Sequence, residues 1–235
     1  MNAANETSRE PGSITGRLIA KDLYLYRWLI LGSLLAGVAS LVLSRFTGGD
    51  NVTTGPNLGI LLFITTIIAF GLSLPMLVLQ EHQNKSQLFV LSLPVSPAHY
   101  SISKVAAALI AFLVPWLTLT AGVVVVTAAT PAPDGGIPFF VAMMTFFLCN
   151  FCLLMALTVI TMSELAAIAG ILVTNVSVTV FLTQVGRLPG IEGRSQDAAA
   201  TWSPAILTVL GIELAVILLA LGLAFCLPSR KKDFV

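Results

Sequence analysis

Cys149 and Cys152 form a C-x-x-C pair. Residues i and i+3 share one face of a helix, so the two thiols stand at a spacing that can serve metal or redox chemistry. The string CNFC has no second cysteine pair and no histidine at ligand spacing, and buried cysteine ordinarily acts as a small hydrophobe. Both histidines, His82 and His99, lie in one polar stretch, residues 81–104, beside Glu81, Lys85 and Lys104. No H-E-x-x-H, G-x-S-x-G or G-x-x-x-x-G-K-[ST] string occurs, so zinc hydrolysis, an elbow serine and a phosphate-cradling loop all lack their residues. An intramembrane serine protease needs a histidine at membrane depth, and the apolar segments contain none. The expectation is a chain without catalytic residues, metal site or bound cofactor of its own.

The elements that carry these residues follow from composition. The chain is 57% hydrophobic and 10% charged, with mean hydropathy +0.95, against roughly 25% charged in an average soluble domain. A helix needs about 20 mostly apolar residues to cross the hydrocarbon of a bilayer. Six stretches qualify, near 28–46, 58–80, 105–129, 137–162, 164–185 and 204–227. Backbone amides in lipid must be satisfied within each segment, and the runs lack the alternation of a transmembrane barrel. The predicted fold is all-α and polytopic: one six-helix domain over 13–235 behind a flexible 1–12. The first 27 residues are polar, so no cleavable signal peptide is expected.

Lysine and arginine set the orientation. Arg9, Arg17, Lys21, Arg27, Lys85, Lys104, Arg230, Lys231 and Lys232 fall on one side of a six-span arrangement, and Arg45, Arg187 and Arg194 on the other. Nine against three puts both termini and 81–104 in the cytoplasm. A formal net charge of +1 gives no basic surface for nucleic acid. Residues 13–27 open on a candidate Ser13 cap, with Ile14, Leu18 and Tyr24/Leu25 opposite Arg17, Lys21 and Asp22. This spacing predicts an amphipathic helix lying on the cytoplasmic face, or else a short linker to the first span.

Within 81–104, Ser86 to Leu93 fits a short amphipathic helix presenting Leu88, Leu91 and Phe89, and Pro94 stops it. Such a knob either meets a partner or rests on the protein's own membrane base. Its residues carry a resemblance. The pattern E-x3-K-x5-L-S-L-P-V-S-x3-Y-x3-K, on Glu81, Lys85, Leu91-Ser92-Leu93-Pro94-Val95-Ser96, Tyr100 and Lys104, is similar to the segment between the second and third spans of ABC-2 type transporter permeases. The six spans, cytoplasmic termini and chain length match that family in outline. Pro97 departs from it, since a basic residue is common there, and no salt bridge is carried over to that position.

The resemblance implies that 81–104 is a coupling segment docked on a separate ATP-binding subunit, which holds ATP and magnesium. It further implies a second permease chain, the same or homologous, in the cell's inner membrane. Glu164 would provide a second cytoplasmic contact, although Ser163 and Glu164 also read as the cap and first turn of the fifth helix. The family's second and fifth spans line the path at the dimer interface, which makes Thr65, Thr66, Ser73, Thr174, Ser177 and Gln184 lining candidates. Hydroxyls bonded back to their own helix are the equal alternative. Glu213, deep in the sixth run, needs protonation, a partner or water, and it serves a substrate, a helix contact or proton coupling. Small residues at Gly32, Ala36, Ser40 and at Ala166, Gly170, Thr174 mark close helix contacts. Pro75 and Pro115 permit kinks. The 186–203 connection would, by the resemblance, hold short re-entrant helices. The function expected is the permease of an ATP-driven exporter, with a transport-free membrane scaffold or immunity-type protein, and an ion-coupled carrier, as alternatives.

Overall fold

Apolarity over more than twenty residues leaves the backbone no economical state in lipid but helix, and six long helices result. The computed structural model describes residues 11–47, 58–83, 97–128, 134–188, 191, 197 and 199–226. In chain order they form α1 (Pro11–Thr47), α2 (Leu58–Gln83), α3 (Pro97–Ala128), a 3-10 turn (Asp134–Gly136), α4 (Ile137–Thr161), α5 (Glu164–Gly186) and α6 (Pro204–Cys226). No strand occurs among the described residues. All six helices are long and apolar enough to span a bilayer.

The core is built around α4. About two thirds of its most apolar window is buried (67%), against 11–33% in the other five helices, so its neighbours must cover it from several sides. They do: α2, α3, α5 and α6 all pack on it, while α1 packs on α2 and α3. The sequence of α4 suits that place, having no charged residue and a wall of Met143, Met144, Cys149, Cys152 and Met155, which fill irregular gaps. Phe112 of α3 stacks on Phe151 of α4 at 4.2 Å and on Phe70 of α2 at 6.0 Å, a three-ring column joining three helices. Phe146 of α4 stacks on Phe181 of α5 at 4.0 Å. The Trp116 indole N–H donates to the Met144 carbonyl at 2.7 Å, giving a buried polar tip its partner.

Helix ends differ from the sequence expectation where polar residues are helical too. The second span does not stop at residue 80: α2 runs on to Gln83. The third begins at Pro97, a place where the missing N–H of proline costs nothing, so only 84–96 of the expected 81–104 loop falls outside the described residues. Residues 11–47 form one unbroken helix, with Ser13 inside it rather than capping it. At 1.5 Å per residue its 37 residues reach about 55 Å, well beyond ~30 Å of hydrocarbon. Its basic first turns therefore extend past the apolar layer.

Between α4 and α5 the chain reverses in two residues. Met162 takes a left-handed conformation (φ 49°), its N–H bonding the Thr158 carbonyl, and Ser163 is extended ahead of α5. The Ser163 hydroxyl makes no cap bond, so the expected cap is only positional, with Glu164 in the first turn. At the other end of the bundle Ser203 does cap α6, accepting from the Ile206 N–H at 3.4 Å ahead of Pro204. The Gly135 N–H donates to the Asp197 carbonyl, joining the α3–α4 and α5–α6 connections. None of the described residues of 187–203 is helical.

The small-residue stripe on α1 is shifted by one position. Gly32 and Ala36 are exposed, whereas Ser33, Gly37 and Ser40 are buried. Gly37 lies under Leu119, and Gly170 of α5 lies under Leu154 and Leu157 of α4. The tightest approach is at Gly59, where a Cβ would collide with the backbone of Ser44. Backbone cannot yield as a flexible side chain does, so Gly59→Ala should lower stability by about 1–3 kcal/mol. Gly122→Ala, which meets nothing within 4 Å, should not. Thermal unfolding of the two purified variants checks the contrast.

Candidate functional site: an ion cluster at the base of the polar loop

Lys104 stands two turns into α3, where the apolar part of that helix begins, and its ammonium is nearly out of water. The two sides of the loop meet on it. Nζ donates to Asp22 Oδ1 of α1 at 2.8 Å and is ion-paired with Glu81 Oε2 near the end of α2. The Lys104 and Asp22 side chains are 8% and 4% exposed and Glu81 24%, so Glu81 keeps contact with solvent. The ammonium also lies 5.6 Å from the centre of the Tyr100 ring, one turn earlier in α3. Tyr26, one turn beyond Asp22 in α1, is buried, and its hydroxyl has no hydrogen-bond partner among the described residues. Two i, i+4 pairs, Asp22 with Tyr26 and Tyr100 with Lys104, thus bring one charge and one ring each to the same spot.

The energetics favour a rigid joint. Two buried opposite charges gain little over an apolar isostere, but removing one partner strands the other and costs about 3–5 kcal/mol. One ammonium between two carboxylates can be replaced only at that penalty. Because its three members come from three helices, the cluster ties α1, α2 and α3 at one level, close to the end of α2 and the start of α3. Both carboxylates are committed to the one ammonium, and what the geometry supplies is a mechanical connection between three helices.

Of the coupling residues expected from the sequence, Glu81, Tyr100 and Lys104 come together here, at the foot of the loop rather than on its surface. Lys85, Leu88, Phe89, Leu91, Leu93 and Pro94 lie outside the described residues. Glu164 is exposed in the first turn of α5. Sequence reasoning missed Asp22, placing it on a solvated face with Arg17 and Lys21. Burial reverses that: Asp22 points inward while Tyr24 and Leu25 are exposed. The signal available was Lys104 itself, a cation at the mouth of an apolar helix that required an acid at its own depth.

The candidates for a substrate path do not converge within one chain. Thr65, Thr66, Ser73 and Thr174 return their hydroxyl protons to carbonyls of their own helix, Leu61, Leu62, Phe70 and Gly170 respectively. Ser177 bonds back to Thr174 and also approaches Asn150 Oδ1 of α4 at 3.1 Å, while the Asn150 amide donates to the Phe146 carbonyl. Asn150 and Thr174 line a cavity of about 20 Å³ between α2, α4 and α5, room for a single water at most. Gln184 is exposed. Glu213 is buried on α6 on another side of α4, within electrostatic reach of Cys149, and neither oxygen has a partner among the described residues. Cys149 and Cys152 are buried and unbridged. Among the described residues no three histidine, cysteine or acidic side chains gather as a metal site.

A family model described as "ABC-2 family transporter protein" matches residues 17–229, and the chain belongs to that family. It is a multi-pass membrane permease of an ABC transporter. Among curated proteins and solved structures no match was found. The matched region takes in Asp22, Glu81 and Lys104 alike.

Two measurements bear on the cluster. Lys104→Met, which strands two carboxylates, should cost about 3–5 kcal/mol, while adding Asp22→Asn and Glu81→Gln to it should recover part of that loss. Thermal or denaturant unfolding of the single and triple variants reads both. A double-mutant cycle on Asn150 and Ser177 should return about 0.6 kcal/mol, the usual scale of hydrogen bonds between membrane helices.

Proposed function

From membership of that family we propose that this permease is the membrane half of an ATP-driven exporter in the cell's inner membrane. Two permease chains, the same or homologous, pair along a substrate path, and each engages a separate ATP-binding subunit that carries ATP and magnesium. Both termini and residues 84–96 lie on the cytoplasmic side, in keeping with the bias of lysine and arginine. Closure of the ATP-binding subunits pushes on the segment from Leu88 to Pro94. The push then reaches the bundle through Glu81 and Lys104, and Asp22 carries it on to α1.

The observation that supports this reading most is the ion cluster. A loop whose two ends are clamped together and to a third helix cannot absorb a displacement by opening its own base, so motion at its tip becomes motion of α1, α2 and α3 as a body. Exposed Thr65, Asn175 and Gln184 are the polar groups best placed to face the second chain and the cargo between them.

The test is biochemical. Replacing Leu91 and Leu93 by aspartate should weaken co-purification with the ATP-binding subunit at least about tenfold, the scale of losing an apolar anchor at an interface. Lys104→Met should leave the complex assembled but reduce the permease's stimulation of ATP hydrolysis. An undiminished complex after the double leucine replacement would contradict the docking role. A stable complex whose ATPase rate never responds to the permease would indicate a scaffold instead.

A further inference from the structure

Beside the ion cluster, on the outer side of α1, basic and aromatic residues stand in the open. The Arg27 guanidinium lies 3.8 Å over the Tyr24 ring and 5.3 Å from that of Trp28, and both rings are mostly exposed. Arg17 and Lys21 are exposed on earlier turns of the same helix. Asp22, the one acid between Gly16 and Arg27, is turned inward and committed to Lys104, so the outward surface is positive only.

A groove of about 400 Å³ between α1 and α2 begins at Trp28. It passes Gly32 and Ala36 on α1, with Ala69 and Phe70 opposite on α2. From residue 28 to 36 it descends about 12 Å, most of one leaflet of hydrocarbon. Its hydroxyls are spent: Ser33, Thr66 and Ser73 donate to the carbonyls of Ile30, Leu62 and Phe70 on their own helices. The walls therefore present an apolar surface, although three of the lining residues are polar.

We propose that this groove binds one anionic phospholipid, its phosphate on Arg27 and an acyl chain laid along Gly32 and Ala36. The two halves of the site match the two halves of that ligand: a guanidinium with no acid beside it among the described residues, set against aromatic rings at headgroup level, and an apolar trough whose first lining residue, Trp28, is one of those rings. The absence of side chains at Gly32 and Ala36 beyond a methyl is what opens the trough. A second copy of the chain is the less suitable occupant, because a two-fold contact through this face would bring together two surfaces carrying Arg17, Lys21 and Arg27 and no outward acid between Gly16 and Arg27. The assignment does not depend on coupling to an ATP-binding subunit.

Native mass spectrometry of the full-length permease, titrated with phosphatidylglycerol and phosphatidylcholine of identical acyl chains, tests it. Phosphatidylglycerol, whose headgroup keeps the net negative charge that choline cancels in phosphatidylcholine, should bind about fivefold tighter, the scale of one basic residue acting on an anionic lipid. Arg27→Gln should abolish that preference, and Ala36→Phe, which fills the trough, should weaken both lipids. Retention of the headgroup preference in Arg27→Gln would overturn the proposal. So would Ala36→Phe variants that keep their lipid and lose self-association, since the face would then be an interface between chains.

Discussion

Lys104 sits at a level where an ammonium has left most of its water, and it is met there by two carboxylates from two other helices. That pairing is a constraint on the whole cytoplasm-facing half of the bundle as proposed. The first helix must pass close enough to present Asp22, the second must stay helical beyond its apolar run as far as Glu81, and the third must begin early enough to place Tyr100 and Lys104 on its inner face. Loosening any one of the three helices would leave charge buried without a partner, a cost of several kcal/mol. Few contacts in the chain are so intolerant of small displacements.

The remainder of the bundle is organised differently. Around α4 the contacts are apolar, with rings in a column from Phe70 through Phe112 to Phe151 and sulfur-bearing side chains filling the gaps. Contacts of this kind are individually weak and add up only collectively, without the directional demand of an ion pair. The polar interruptions are sparse: the Asn150 and Ser177 contact on one side of α4, and Glu213 on another. An ionic joint at one end and an apolar stack in the middle is a mechanical arrangement that suits the proposed function, in which force arrives at a loop and a path in lipid rearranges.

Much of this was legible in the sequence, for a physical reason. Apolarity over a bilayer's thickness is a property of composition and length, so the six helices could be located without knowing any contact, and the segment carrying Glu81, Tyr100 and Lys104 pointed to the family. The limits were equally physical. Gln80 to Gln83 and Pro97 to Ser103 are polar, and polarity alone cannot distinguish a loop from a helix end held by an ion pair. Asp22 looked solvated because an acid directly after Lys21 gives no hint that a lysine 82 positions later will reach it. On α1 the small residues repeat at both 32, 36, 40 and 33, 37, 40, and only packing shows that the second set faces inward. Hydroxyl-rich stretches of α2 and α5 resembled a path, yet most of those groups bond to their own backbone, an alternative that spacing could not separate.

The most direct measurement is a charge exchange between Asp22 and Lys104. Asp22→Lys and Lys104→Asp, made singly, each place like charges together, and the exchanged pair restores one cation and two acids, with the acid at 104 now beside Glu81. If the cluster joins the three helices as described, unfolding of the full-length permease will show both single variants strongly destabilised and the double variant less so than the sum of the two, a coupling of about 0.5–3 kcal/mol. Losses that simply add would show that Asp22 and Lys104 do not act on each other, and force could not then pass from the loop into α1 by this route.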